Sequence, residues 1–217
     1  MGNQSSVMTA TSSVSPLIDI SSLSLLKGKY VFLEPLTEQY RESLRRMARD
    51  ERLWEFTKTL LINDTYDEQF DRYFNEALDL TGIGGQSFVI HATKDGSLLG
   101  MTRMHNVERK DKRLEIGHTW YIPSVWGMVY NKECKLLLLQ YTLETLRYNR
   151  VEFRVAHQNI RSQKAVAKIG GVWEGVLRRH SIRNDGSHRD TVVFGIIIDE
   201  WPETKKKLQA LVEAGTL

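Results

Sequence analysis

Apolar residues recur every three to four positions in some stretches of the chain and every second position in others. Residues 30–33 form a short apolar run stopped by Glu34-Pro35. Over 38–49, Tyr40, Leu44, Met47 and Ala48 share one helical face, with Thr37 as its N-cap. Residues 50–67 are irregular but carry Trp54, Phe56 and Tyr66. A second helix is predicted over 68–80, ended by Gly82-Ile83-Gly84-Gly85. The period then becomes two, giving strands over 87–93 and 98–107 around the turn Lys94-Asp95-Gly96-Ser97, and a third over 113–122. A long helix follows over 131–148, then a strand over 151–157 and a short helix over 160–169 ended by Gly170-Gly171. Strands over 173–182 and 189–198 flank Asp185-Gly186, and a last helix covers 203–212.

This order predicts an α/β (α+β) fold with a mixed, mostly antiparallel sheet of about seven strands and flanking helices. The strand–helix–strand unit over 115–157 is the one parallel step, with a right-handed crossover. Residues 1–27 are rich in Ser and Thr and show no period, so they are expected to be a flexible tail before a single domain over 28–217. Met1-Gly2-Asn3-Gln4-Ser5-Ser6 matches the N-myristoylation pattern, which is short and arises readily by chance.

The chain has 217 residues, long enough for one sizeable core, with 41% hydrophobic and 26% charged residues. Its single cysteine, Cys134, forms no intrachain disulfide and is expected to be a buried helix residue. No signal peptide or membrane span is expected, so the protein is placed in the cytoplasm. Residues 1–112 carry 14 Lys/Arg and 16 Asp/Glu, a net of −2, and residues 113–217 carry 16 and 11, a net of +5. An acidic half would suit a cationic acceptor and a basic half an anionic cofactor; scattered surface charge is the plainer reading. The histidines have no metal-ligand spacing, and no nucleic-acid motif is evident, so neither a metal nor nucleic acid is expected.

Chemistry concentrates between Glu115 and Asn131. A buried strand passes through a short turn with one glycine, Gly127, into the long helix. Unpaired backbone N–H groups and the positive end of the helix dipole make that junction a seat for phosphate. Glu115 and His118 lie upstream as possible proton-transfer groups. Alternation places them on opposite faces of the strand unless a bulge intervenes.

The order of elements and several motifs resemble the GNAT N-acetyltransferases of the RimJ/RimL-like branch. The matching residues are Glu115 to Tyr121, Trp126-Gly127, Asn131 to Leu138, Arg150 to Phe153, Asn159-Ile160-Arg161-Ser162, Ile169-Gly170, Glu174 to Arg178 and Arg189-Asp190-Thr191. The resemblance implies acetyl-CoA as co-substrate. It implies a splayed parallel strand pair in which the backbone of Trp120, Tyr121 and Ile122 meets the pantetheine arm. The pyrophosphate would sit on N–H groups from Trp126 through Gly127, Met128, Val129 and Tyr130 to Asn131. The family's loop pattern, Gln/Arg-x-x-Gly-x-Gly/Ala, is kept here only at Gly127; Ser124 and Val129 depart from it, and Val129 puts the tightness of cofactor binding in question.

The same resemblance gives Asn159 a hydrogen bond to pantetheine, which is compatible with its being a helix N-cap. Arg161 and Lys164 could meet the adenosine phosphates or be solvated helix charges. Glu115 is the first choice for the base, against a structural ion pair with arginine, and His118 the second, against a core histidine. No tyrosine follows on the helix after Asn159, which leaves Ser162 as candidate acid, against a small packed residue. Trp54, Phe56, Asp64, Tyr66 and Asp67 are candidates for the acceptor wall. The expected activity is direct acetyl transfer to a primary amine of a protein N-terminus or small molecule, with a homodimer possible. The alternative is a non-catalytic acyl-CoA-binding or scaffolding module.

Overall fold

The computed structural model describes residues 20–59, 61, 64–80 and 84–215. The Met-Gly motif and most of the expected tail lie outside them. Residues 20–27, grouped with the tail by composition, have defined structure: Ile20 is buried in the main core, and Leu26–Lys27 pair with the next strand.

Eight strands form one sheet in the order β1-β2-β3-β4-β5-β6-β8-β7. They are β1 (Leu26–Lys27), β2 (Val31–Pro35), β3 (Gln86–Ala92), β4 (Leu98–Glu108), β5 (Arg113–Tyr121), β6 (Arg150–Ala156), β7 (Val172–Ile182) and β8 (His188–Ile197). All neighbours are antiparallel except β5 and β6. The helices are α1 (Arg41–Met47), α2 (Tyr66–Leu78), α3 (Tyr130–Gln140), α4 (Ile160–Lys168) and α5 (Trp201–Glu213).

Strand alternation divides the apolar residues between two cores. Phe88 and Ile90 of β3 join Leu138 and Leu139 of α3 and Leu208 of α5 in one, while Val89 faces Phe70 and Phe74 of α2 in the other. The buried Glu133 carboxylate of α3 accepts backbone hydrogen bonds from Lys29, Tyr30 and Val31 at 2.8, 2.6 and 2.7 Å, tying the first strands to that helix.

The helix expected over 38–49 begins instead as a 3-10 turn over Glu38–Tyr40, and Thr37 makes no side-chain cap. The long helix after β5 stops being α-helical at Gln140 and continues as one π-helical turn, Tyr141–Thr145. There the Thr142 hydroxyl donates to Leu138 O at 2.8 Å, competing with the regular ladder.

Candidate active site

The parallel pair β5/β6 is short. Arg113, Leu114 and Glu115 pair with Arg150, Val151 and Glu152, and there the pairing ends. β6 turns its other edge to β8 as far as Ala156. From Ile116 to Tyr121 the edge of β5 away from β4 faces a gap. Trp120 and Tyr121 send their side chains into opposite cores: the Trp120 indole donates to Tyr73 Oη at 3.2 Å, and the Tyr121 hydroxyl lies beside the Cys134 thiol. The Ile122 N–H donates to Leu99 O of the β4 side at 2.9 Å. By alternation it is the Tyr121 N–H that points into the gap. Of the three residues expected to offer backbone there, Trp120 and Ile122 turn theirs to β4.

The loop to α3 corrects the expected donor set in the same way. Trp126 N–H donates to Pro123 O at 3.2 Å and Met128 N–H to Val125 O at 3.4 Å, so both are spent. Gly127, Val129, Tyr130 and Asn131 keep N–H groups without an acceptor among the described residues. Gly127 has φ +83, which explains the glycine, and open space where a Cβ would lie. Val129 has φ −67, needs no glycine, and packs its buried side chain against Gly215 beyond α5. The departure from the family's loop pattern at Val129 therefore removes no N–H donor from this junction.

Two β-bulges frame Glu115. On β5, His118 and Thr119 together oppose Thr102 of β4; on β4, Asn106 and Val107 together oppose Leu114. The bulged residues His118 and Asn106 have φ +48 and +49, a conformation that His and Asn tolerate better than most residues. The second bulge lets the consecutive residues His105 and Asn106 both reach one carboxylate. Asn106 Nδ2 donates to Glu115 Oε2 at 2.9 Å, and His105 Nε2 lies 3.5 Å from Oε1. A Cβ on Gly117 would lie 2.6 Å from His105 Nε2, so only glycine admits this approach. The first bulge turns His118 to the same locus, its ring 5.0 Å from that of His105. Arg154 Nε of β6 is 3.5 Å from Glu115 Oε2.

Glu115 is 6% exposed, and burial raises its pKa despite Asn106 and Arg154. His118 is an exposed residue whose ring lies beside those of His105 and Tyr73. Desolvation, then the charges of Arg103, His105, Lys58 and Arg189, hold its pKa well below the usual value. Burial, Arg103 and Arg154 push His105 down to about 4. Behind the β5 bulge, the buried Lys135 ammonium of α3 donates to Thr119 Oγ1 at 2.7 Å, and burial lowers its pKa to about 8.

Asn159 caps α4 by accepting from Ser162 N at 3.0 Å, which leaves its amide N–H groups without a partner among the described residues. Ser162 is half-buried in the first turn of α4, and Lys164 is exposed. The Arg161 guanidinium lies 3.7 Å over the Trp126 ring, so it bridges α4 to the β5–α3 loop across the gap. Of the expected wall residues, Trp54 and Tyr66 are buried, donating to Ala48 O and Arg45 O, and Asp67 pairs with Arg49 at 2.7 Å. Phe56 is half-buried and Asp64 exposed. Sequence reasoning missed Asn106, Arg154 and Lys135. Their positions opposite or behind β5 become visible only once register is known.

A mixed sheet whose parallel pair opens beside a helix N-terminus, with a buried carboxylate at the fork, defines a class of acyl-transferring enzymes. The family model for the acetyltransferase (GNAT) domain matches residues 31–172. YdaF of Bacillus subtilis (strain 168), named provisionally as a ribosomal N-acetyltransferase, is 31% identical over 144 residues, 65% of this chain and 74% of that protein. A solved structure from T. thermophilus, described provisionally as an acetyltransferase, is 32% identical with a TM-score of 0.76, covering 87% of this chain and 96% of that one. Mycobacterium smegmatis RimJ, solved with CoA-disulfide, shares the fold at a TM-score of 0.71 and 21% identity, over 86% of this chain and 91% of its own. The chain belongs to the GNAT acetyltransferase family and is an acyltransferase. Among the described residues no helix is long and apolar enough to cross a membrane, and no group of three or more His, Cys, Asp or Glu could hold a metal ion.

Proposed function

We propose that this chain is an acetyl-CoA-dependent N-acetyltransferase that moves the acetyl group directly to a primary amine. The observation that carries the reading is the fork in the sheet: Glu115 is the last paired residue, and beyond it the open edge of β5 leads to four free N–H groups at α3. These groups fit an extended pantetheine arm ending in a pyrophosphate. Asn159 Nδ2 is the side-chain donor to the arm, and Arg161 and Lys164 meet the adenosine phosphates. When bound, acetyl-CoA supplies an acyl group activated as a thioester.

Glu115 takes the proton from the acceptor ammonium, directly or through a water, and frees the nitrogen lone pair for attack on the thioester carbon. An outward N–H of β5 at the bulge donates to the thioester oxygen. As the C–S bond breaks, the second proton of the attacking nitrogen passes to the leaving sulfur, relayed by the Ser162 hydroxyl or by a water it holds. His118 is the second choice for the base. Cys134 is buried with its pKa raised by burial, which argues against an acyl-enzyme. The non-catalytic reading drew on Val129 and on the missing tyrosine after Asn159; the helical backbone and inward side chain of Val129 give the first of these no support.

The similarity to YdaF supports a protein N-terminus as acceptor, a small amine being the other option, in the cytoplasm. A homodimer through the edge strand β7 belongs to the same reading, supported by exposed Trp173 (59%) and Ile182 (63%), and sedimentation at rising concentration tests it. The central test is calorimetry with acetyl-CoA. Micromolar affinity weakened about tenfold by Asn159→Ala is expected, for the loss of one or two hydrogen bonds. Absence of binding up to millimolar concentration overturns the reading.

A further inference from the structure

The acceptor side of Glu115 is lined by cations. Arg103 comes from β4, Arg154 from β6, Arg189 from β8, and Lys58 from the segment before α2. Arg183, at the tip of the β7/β8 hairpin, closes this side by donating to Glu55 O at 2.6 Å, while Asn184 N–H donates to Lys58 O at 3.1 Å. The hairpin tip is thus tied to the segment that carries Lys58. The charges of Lys58, Arg103 and Arg189 all reach His118, and Arg189 also reaches Glu115.

Apart from Arg154, these cations are not matched by anions. Glu115 and Glu152 both face Arg154, and Glu152 is further held by Arg150. Arg103 finds only Tyr73, donating to its carbonyl at 3.0 Å and lying 4.3 Å over its ring. Arg103, Lys58 and Arg189 make no ion pair among the described residues. The Nε atoms of Arg103, Arg154 and Arg189 are buried without a hydrogen-bond partner. A guanidinium cannot escape burial by losing its proton, so an unmatched one is retained at a cost in stability. Such a set fits a ligand that brings its own negative charge. That ligand is separate from the cofactor phosphates: Glu115 and Tyr121 are six residues apart, roughly 20 Å along the strand, and the anion seat lies beyond Tyr121.

We propose that the acceptor is an anionic amine, one that carries a carboxylate or phosphate beside the nitrogen to be acetylated, and that Arg103 and Arg189 hold that group while Glu115 faces the nitrogen. This rests on the acetyltransferase reading above. The charge preference concerns the acceptor alone, and the acidic excess of the first half of the chain does not oppose it. Asp71 and Asp67 of α2 are spent on Arg41, Arg45 and Arg49.

The test uses the full chain and two matched acceptor pairs. One pair is a free amino acid and its amide; the other is a short peptide beginning Ser-Asp-Glu and its Ser-Lys-Lys counterpart. Transfer from acetyl-CoA is read as kcat/KM, and acceptor affinity is read by calorimetry without acetyl-CoA. The acidic member should be favoured about tenfold or more in at least one pair, as expected for a charge-assisted hydrogen bond, and the preference should shrink as salt is raised. Preference in the amino-acid pair alone identifies a small acceptor, and preference in the peptide pair an acidic N-terminus. Arg189→Gln should reduce the acidic-to-neutral ratio about tenfold, with Arg189→Lys restoring part of it and melting curves confirming that both variants fold. A ratio of one or below in both pairs, or an equal loss for both members in Arg189→Gln, overturns the proposal. If no amine is acetylated, the transferase reading fails, while the affinity ratio still decides the charge preference.

Discussion

Glu115 and His118 sit within one cluster, yet their surroundings push them in opposite directions. Desolvation raises the carboxyl; desolvation by the packed cluster and the charges of Arg103, His105, Lys58 and Arg189 lower the imidazole. A base works best when its pKa approaches the working pH, so the same desolvation that improves Glu115 as a proton acceptor weakens His118. The pH dependence follows in sign. The carboxylate is the active form, so kcat/KM should fall as pH falls through the raised pKa of Glu115. Glu115→Gln should lower kcat about 100-fold or more and abolish that acidic limb. His118→Asn should leave the limb in place. A limb that vanishes in His118→Asn and survives in Glu115→Gln would reverse the assignment; pH-rate profiles of the two variants decide it.

At the scale of elements, the β5–α3 junction shows how a motif can lose its letters and keep its geometry. Only one loop position requires positive φ, and Gly127 fills it. Val129 is a packing residue. Val129→Gly, which restores the family letter, should therefore cost about 2 kcal/mol in stability, read by denaturant unfolding, and change the affinity for acetyl-CoA less than about threefold. A large gain in affinity would show the opposite. The strands, the helices and this junction were legible because period two, period 3.6 and glycine at a turn are local signals. The bulges were not. His118 and Asn106 carry no local mark, and their left-handed backbone exists because the neighbouring strand is one residue out of step. The neighbours of Glu115 on β4 and β6 were hidden for the same reason. Trp54 and Tyr66 show the other direction: aromatic residues in an irregular segment suggested a binding wall, whereas both are buried and their polar atoms bond to the Ala48 and Arg45 carbonyls at the end of α1.

Across the whole molecule, charge is organised by use and not by sequence half. Asp71 of α2 neutralises arginines of α1, and part of the basic excess of the second half, Arg154 and Arg189, is directed at Glu115. The arch from Arg183 and Asn184 to residues 55–59 joins the last hairpin to the first third of the chain, so the acceptor side is assembled from distant segments and forms only when the domain is complete.

The short β5/β6 pairing has a mechanical meaning as well. In the plane of the sheet, β1 to β5 and β6 to β8 are two panels joined by a seam three residue pairs long. A ligand laid along the open edge acts as a removable ninth strand that sews the seam further. Amide exchange in β6 and β8 should then slow when acetyl-CoA is added, beyond the change in β2 and β3. Occupancy would set how far the panels fluctuate as one body, so the substrate would serve for the length of each turnover as part of the scaffold that holds it.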